Sequence, residues 1–210
     1  MIRIWRGKEP ADLAKARRRY LARACLAWAG GASARVDRDD DQRQEQRNGI
    51  DSREGYHVAR GDLHRAQHQK CAYCERQEGL VNQPVEHFRP KGGAVRDVDD
   101  ARNIDHDHYF WLAWSWENLF FTCTSCNGRG TKGNKFPLLE DVTKLPLPSR
   151  TLILAWPDEH FDRTREKAAL VDPSREDPMN FIRWIPINPD ATWDMLRWEP
   201  QGVDPEKRGA

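Results

Sequence analysis

Between Leu13 and Trp28 apolar residues recur every three or four positions, through Ala16, Tyr20 and Ala24, a period that predicts one amphipathic helix over residues 10–29. Pro10 suits an early helical position, where its missing N–H would have no partner, and Gly30 and Gly31 stop the run. Residues 32–52 are polar and charged without any apolar period, which reads as a mobile linker. A second helix is expected over 54–69, leading straight into Cys71. "QPVEHFRP" alternates as a short strand ending at Pro90, residues 92–107 read as a loop rich in Asp and Gly, and "HYFWLAWSWENLFFTC" is dense enough in aromatics to be buried core. Past Pro137, "TLILAW", "AALVD", "FIRWIPI" and "TWDMLRW" read as short strands separated by turns. The pattern predicts an α+β chain in three parts: an N-terminal helix with a charged linker (1–53), a central block (54–140) and a C-terminal extension of short strands (141–210).

Composition narrows this picture without redirecting it. A chain of 210 residues suits one domain with elaborations. No apolar run approaches the ~20 residues of a membrane span, and "MIRIWRGKEP" has no apolar stretch behind its charges, so a cytoplasmic protein is the expectation. The net charge of +1 makes no case for nucleic acid. Local charge is more telling: Arg3, Arg6, Lys8, Lys15, Arg17, Arg18, Arg19 and Arg23 crowd the start, and Asp37, Asp39, Asp40 and Asp41 follow. Such a patch can meet phosphates or be the solvated face of a helix, and sequence leaves both open.

The five cysteines argue against a disulfide framework in a chain without a secretory signal. Cys25 sits in the helical pattern as a small buried hydrophobe. The other four form two pairs, Cys71/Cys74 and Cys123/Cys126, each with two residues between. A CxxC turn aims both sulfurs at one ion, and two such turns complete the tetrahedral four-sulfur site that suits Zn2+. With no open coordination position that zinc would be structural, pinning the segment before Glu86–His87 to the segment after the aromatic block. Redox pairs or unrelated thiols would leave the pairing unexplained.

Within this clamp the order is Glu86–His87, then Asn118 in "WENLFF", then Asn127 directly after Cys126. These residues resemble the HNH endonucleases, whose ββα-metal motif carries an acid–His pair at the end of a strand, a central Asn, and a metal-binding His or Asn on the following helix, in many members inside a CxxC…CxxC zinc site. The resemblance covers about residues 70–137 and implies roles. His87 would be the general base, taking a proton from water. Glu86 and Asn127 would supply oxygens to a catalytic Mg2+ or Mn2+, and Asn118 would brace the intervening loop through backbone hydrogen bonds. Arg129, Lys132 and Lys135 would contact substrate phosphates. The chain departs from the family in having Glu where Asp is commoner, and in the three glycines of "GRGTKGNK", which shorten the expected helix and leave open which lysine matches the family's. His87 is expected to hold nothing structural. His106 and His108 are either an extra ligand or a polar turn.

"CAYCE", "VEHFRPK", "YFWLAWSWENLFFTCTSCN", "FPL" and "LVDPSREDP" are more narrowly similar to HNH subunits of Septu-type and retron-associated anti-phage systems. That similarity implies nuclease action on nucleic acid, DNA foremost, beside an ABC-type ATPase partner. Trp111, Trp114 and Trp116 read as core, whereas Trp184, Trp193 and Trp198 lie outside the motif as a candidate partner surface. The competing reading is a non-catalytic zinc module that binds nucleic acid or protein.

Overall fold

The computed structural model describes residues 3–29, 55–81, 83–97, 102–106, 108–128, 130–139, 144–155, 166–188 and 198–203. Among them are helices α1 (Ala11–Ala29), α2 (Arg60–Ala66) and α3 (Arg150–Ala155) and three two-stranded antiparallel sheets. The sheets pair β1 (Val85–His87) with β4 (Leu119–Phe121), β2 (Ala94–Val95) with β3 (Ile104–Asp105), and β5 (Ile182–Pro186) with β6 (Trp198–Gly202). This mixture of helices and small sheets is the α+β class that the pattern predicts. The expected linker 32–52 and the stop at Gly30–Gly31 lie outside the described residues.

α1 forms where the apolar period places it. Leu13, Ala16, Leu21, Ala24 and Cys25 are buried along one stripe, and Tyr20 stacks on Trp114 with ring centroids 6.2 Å apart. Two members of the basic patch are internal. Arg17 is buried and held by both carboxylate oxygens of Glu9. Arg6 lies over the Phe120 ring at 4.2 Å and donates to the Trp116 carbonyl at 2.5 Å. Burial drives its pKa down to about 10, although Asp172 and Glu117 pull it back up. The side chain of Arg23 lies outside the described residues.

The second predicted helix divides into a 3-10 turn, Tyr56–Ala59, and α2. Gly55 makes the entry, at φ 94°, where any Cβ would sit 2.5 Å from the Tyr20 ring. Only glycine accepts both the backbone angle and the close approach.

The aromatic block is the centre of the core. Tyr109, Trp111 and Trp114 are at most 1 % exposed. Phe88, Tyr109 and Phe136 meet edge to face at 5.4 Å. Each such side chain contributes about 1.5–3 kcal/mol by leaving water, so these rings hold the fold and offer no face to a base.

Three C-terminal expectations are corrected or limited. "TLILAW" is not a strand: α3 covers Arg150–Ala155, with Ser149 Oγ accepting the Leu152 N–H at 3.3 Å as an N-terminal cap. Its Ile153 is 1 % exposed and joins the core. "AALVD" contributes one isolated bridge, Leu138 with Ala168. "FIRWIPI" does form β5, while "TWDMLRW" lies outside the described residues except for Trp198, whose backbone begins β6. Residues 92–107, read as loop, carry the short β2 and β3.

Candidate functional site

The four cysteines converge. The sulfurs of Cys71, Cys74, Cys123 and Cys126 all lie within 4.8 Å of one another, with Cys74 and Cys123 at 3.8 Å. Tetrahedral zinc with bonds of about 2.3 Å needs sulfurs about 3.8 Å apart, so the donor set and its spacing fit zinc. The first pair turns tightly: the Glu75 N–H returns to the Cys71 carbonyl at 3.1 Å, and Glu75 itself adopts a left-handed φ of 60°. Burial raises the pKa of Cys71 and Cys126. At Cys123 burial is outweighed by the Cys126 N–H and the neighbouring thiols, which draw it down. Among the described residues no other group of three or more His, Cys, Asp or Glu side chains comes close enough to share an ion.

Gln67 ties the first cysteine pair to β4. Its side-chain amide donates to the Phe121 carbonyl at 2.7 Å and accepts the Phe121 N–H at 2.9 Å, while the Ala72 N–H reaches the same carbonyl at 3.0 Å. β4 in turn pairs Leu119 with His87 and Phe120 with Glu86. The cysteine cluster and the Glu86–His87 strand therefore share one rigid ladder.

Asn118, 0 % exposed, organises the chain just past His87. Its Nδ2 donates to the carbonyls of Arg89 (3.0 Å) and Leu112 (3.2 Å), and its Oδ1 accepts the Arg89 N–H at 2.8 Å. The Phe88 N–H reaches the Asn118 carbonyl at 2.9 Å. The Arg89 guanidinium is held by Glu166 at 2.6 Å in a fully buried pair. Glu166 also accepts from the Tyr109 hydroxyl and, at 3.0 Å, from the Leu145 N–H.

His87 is 7 % exposed. One ring nitrogen, Nε2, lies 3.0 Å from the Ala113 carbonyl. Burial first, and the Lys91 charge second, hold its pKa well below the ordinary histidine value. The ring is therefore neutral near pH 7. A carbonyl can only accept, so the bond to Ala113 assigns the proton to Nε2 and leaves the Nδ1 lone pair as the basic site. The expectation that His87 holds nothing structural is corrected by this burial and this bond.

Glu86 points at a different partner. Its Oε1 lies 2.5 Å from Nζ of Lys132, both side chains being over nine-tenths buried. The contact is one of opposite charges rather than a well-angled hydrogen bond, because Oε1 otherwise has no hydrogen-bond partner. Lys132 also donates to the His87 carbonyl at 2.7 Å. Burial raises the Glu86 pKa and lowers that of Lys132, and each charge opposes the effect on the other. Lys132 thus lies inside the site, away from the solvent-facing position expected for a phosphate contact. Its loop is closed by Thr131, whose hydroxyl donates to the carbonyls of Ser125 (2.6 Å) and Cys126 (2.9 Å). Asn127 sits in that loop, half-buried, its N–H on the Cys123 carbonyl at 3.1 Å. The residues after β4 run through turns at 124–127 rather than a helix. Lys135 reaches the Gly130 carbonyl at 3.5 Å, and Arg129 lies outside the described residues. His106 is exposed, and His108 is committed to the Leu145 carbonyl at 2.6 Å with Asp105 beyond.

Sequence reasoning missed the residues that surround His87. The Tyr56 ring meets His87 edge to face at 4.6 Å, and His57 lies tilted against it at 4.2 Å. Lys91 Nζ lies 4.1 Å from the centroid of the same ring and donates to its hydroxyl at 2.8 Å. Lys91 had a usable signal, following Pro90 in the segment just after the strand that carries His87. Tyr56 and His57 had none, being brought in by the turn before α2.

Fold and site together define an α+β chain with a four-cysteine cluster able to hold a metal ion, laddered to a buried, uncharged histidine. This chain is similar to two Septu proteins of Bacillus mycoides. It is 29% identical to the Septu protein PtuB over 119 residues, which make up 55% of this chain and 34% of that protein. It is 27% identical to the Septu protein PtuA over 103 residues, 44% of this chain and 14% of that protein. The chain therefore spans well under half the length of either relative. No family model matches it, and no solved structure matches it.

Proposed function

We propose that this chain is a metal-dependent endonuclease of the HNH type that hydrolyses phosphodiester bonds in nucleic acid, DNA foremost, as the nuclease component of a Septu-type anti-phage system. The observation that carries this reading is His87, a neutral imidazole with Nε2 fixed on the Ala113 carbonyl and Nδ1 left basic. Such a group is suited to accept a proton from an attacking water. Asn118 fixes the backbone that follows the base, and the cysteine cluster and Gln67 hold the ladder that carries it. Orientation of this kind is what lets a weak base act in a defined geometry.

Glu86 and Asn127 are the residues that would hold a catalytic Mg2+ or Mn2+. A buried carboxylate oxygen without a well-angled hydrogen bond is a donor fit for a hard cation. Such an ion, when bound, supplies charge to offset that developing on the phosphate oxygens. Lys132 places one positive charge beside the same oxygen, so it serves as the resident counter-charge of Glu86.

Support for the defence context comes from the similarity to the Septu proteins. We infer cytoplasmic action with an ATPase partner, docked through surfaces outside the histidine site. Trp184 and Met179, both exposed at the β5–β6 hairpin and the turn before it, are the described part of such a surface, while Trp193 and the Trp198 side chain lie outside the described residues. No helix among the described residues is long and apolar enough to cross a membrane.

The Glu86–Lys132 pair favours a second reading: a zinc-stabilised binding module in which that pair is purely structural. Plasmid cleavage in Mg2+ or Mn2+, comparing the native chain with His87→Ala, separates the two. The nuclease reading expects cleavage by the native chain and loss in the variant. Full cleavage by the variant removes His87 as base. An inert native chain, alone and with its co-expressed ATPase, favours the binding module.

A further inference from the structure

The notable feature outside the proposed proton transfer is the crowding of cationic groups around Tyr56. This ring is 5 % exposed and forms a floor. His87 and His57 stand against it, and the Lys91 ammonium both covers its face and bonds its hydroxyl. Arg60 extends the cluster, its Nη2 lying 3.3 Å from His57 Nδ1. Its Nε is buried with no hydrogen-bond partner among the described residues. Lys91 and Arg60 are half-buried and His57 beside them is exposed, so the two charges stand on the rim of the floor rather than beneath it, with His57 as a hydrogen-bonding neighbour. Among the described residues, Asp62 is engaged by Arg65 and Glu86 by Lys132. The positive field is felt locally: after burial, Arg60 and then Lys91 lower the His57 pKa, and Lys91 lowers that of His87.

We infer that Lys91, Arg60 and His57 form a phosphate-contact edge that seats the nucleic-acid backbone beside His87. The inference rests on the nuclease reading of that histidine and adds its substrate-facing side. Two separate pieces of chain build the edge, the turn at the start of α2 and the segment just after β1. Tyr56 is a positioning residue: its hydroxyl aims Lys91 and its ring backs His87. The edge takes over a task that Lys132 is poorly placed to perform, since that lysine is spent on Glu86 and the His87 carbonyl. A lysine and an arginine on a rim recognise the charge of a phosphodiester and carry no information about base identity.

The test uses the full chain, zinc-loaded and without divalent magnesium or manganese, binding a short labelled DNA duplex across a series of salt concentrations. Lys91→Ala and Arg60→Gln should each weaken binding roughly three- to tenfold and lower the slope of log Kd against log salt by about one. Lys91→Arg should restore the slope, and Tyr56→Phe should weaken binding while leaving the slope nearly native. A merely structural role would lower the melting temperature in these variants without changing the slope. Native slopes and affinities in both Lys91→Ala and Arg60→Gln, with the native chain binding and cleaving DNA, overturn the edge and leave the nuclease reading standing. A native chain that neither binds nor cleaves DNA overturns both.

Discussion

Replacing Asn118 by Ala tests the brace from which the His87 site is hung. The side chain is 0 % exposed and serves three backbone groups: the Arg89 N–H, the Arg89 carbonyl and the Leu112 carbonyl. Alanine removes all three bonds and leaves the Arg89 N–H and the Arg89 carbonyl buried without partners, while the Leu112 carbonyl keeps the Ser115 N–H at 3.1 Å. Each such group costs about 1–3 kcal/mol, and partial relaxation places the total at about 4 kcal/mol. That is a large share of the ~5–15 kcal/mol by which domains are usually stable. For a chain of this size it corresponds to a melting point lower by about 8–16 °C. Urea unfolding of the zinc-saturated protein, followed by tryptophan fluorescence, reads the loss as a lower midpoint at unchanged slope. Asn118→Asp keeps the acceptor but loses both donors and buries a charge, so it should be at least as damaging. A loss below about 1 kcal/mol in Asn118→Ala would refute the assignment of Asn118 as the brace, since three unmade buried bonds cannot cost so little.

The remaining expectations concern metal, base and charge. Metal analysis should find one zinc per chain, and chelation or Cys74→Ser should unfold the central block, because a structural four-sulfur site supplies folding free energy directly; a folded, zinc-free sample would count against it. His87→Ala should abolish cleavage and also cost about 1–3 kcal/mol of stability, since it orphans the buried Ala113 carbonyl; calorimetry and a cleavage assay on the same sample read both. Lys132→Gln leaves Glu86 buried without its counter-charge, so it should destabilise the chain by about 3 kcal/mol. Added Mn2+ should recover that loss, and paramagnetic resonance should detect tighter Mn2+ binding than in the native chain. No recovery would separate Glu86 from metal binding. Stability should fall as the pH drops below about 6.5, the ordinary histidine value. Burial lowers the pKa of His87 and His108 in the fold, so the unfolded chain binds more protons below that point and is favoured there. Urea midpoints at pH 7.5 and pH 5.5 check the sign, and a midpoint that rises on acidification would contradict it.

Some of this molecule was written in local pattern. α1 was legible because its apolar stripe repeats at the helical period over five turns, long enough for period alone to decide. The cysteine pairs were legible because a two-residue spacing is itself the geometry that turns two thiols toward one point. The aromatic block was legible as core because no surface arrangement of so many rings avoids water. "TLILAW" misled because five apolar residues in a run of six are too few to distinguish a buried strand from one helical face. The arbiter was Ser149, whose hydroxyl caps α3.

What the tertiary structure alone decided is which side chains meet across the ladder. In sequence Lys132 was one of three cations after Asn127. The closure of the Thr131 loop carried it under His87 and onto Glu86. Gln67 looked like an ordinary polar residue near a helix end, and its value as a clamp on both backbone groups of Phe121 exists only once β4 lies beside it. Tyr56 reaches His87 because Gly55 lets the chain turn under Tyr20, a fact of clearance between two distant segments. Spacing along a chain determines local turns and faces, because covalent geometry transmits them over a few residues. Ion pairs and hydrogen bonds between distant segments depend on how those faces pack, and packing is a property of the whole core.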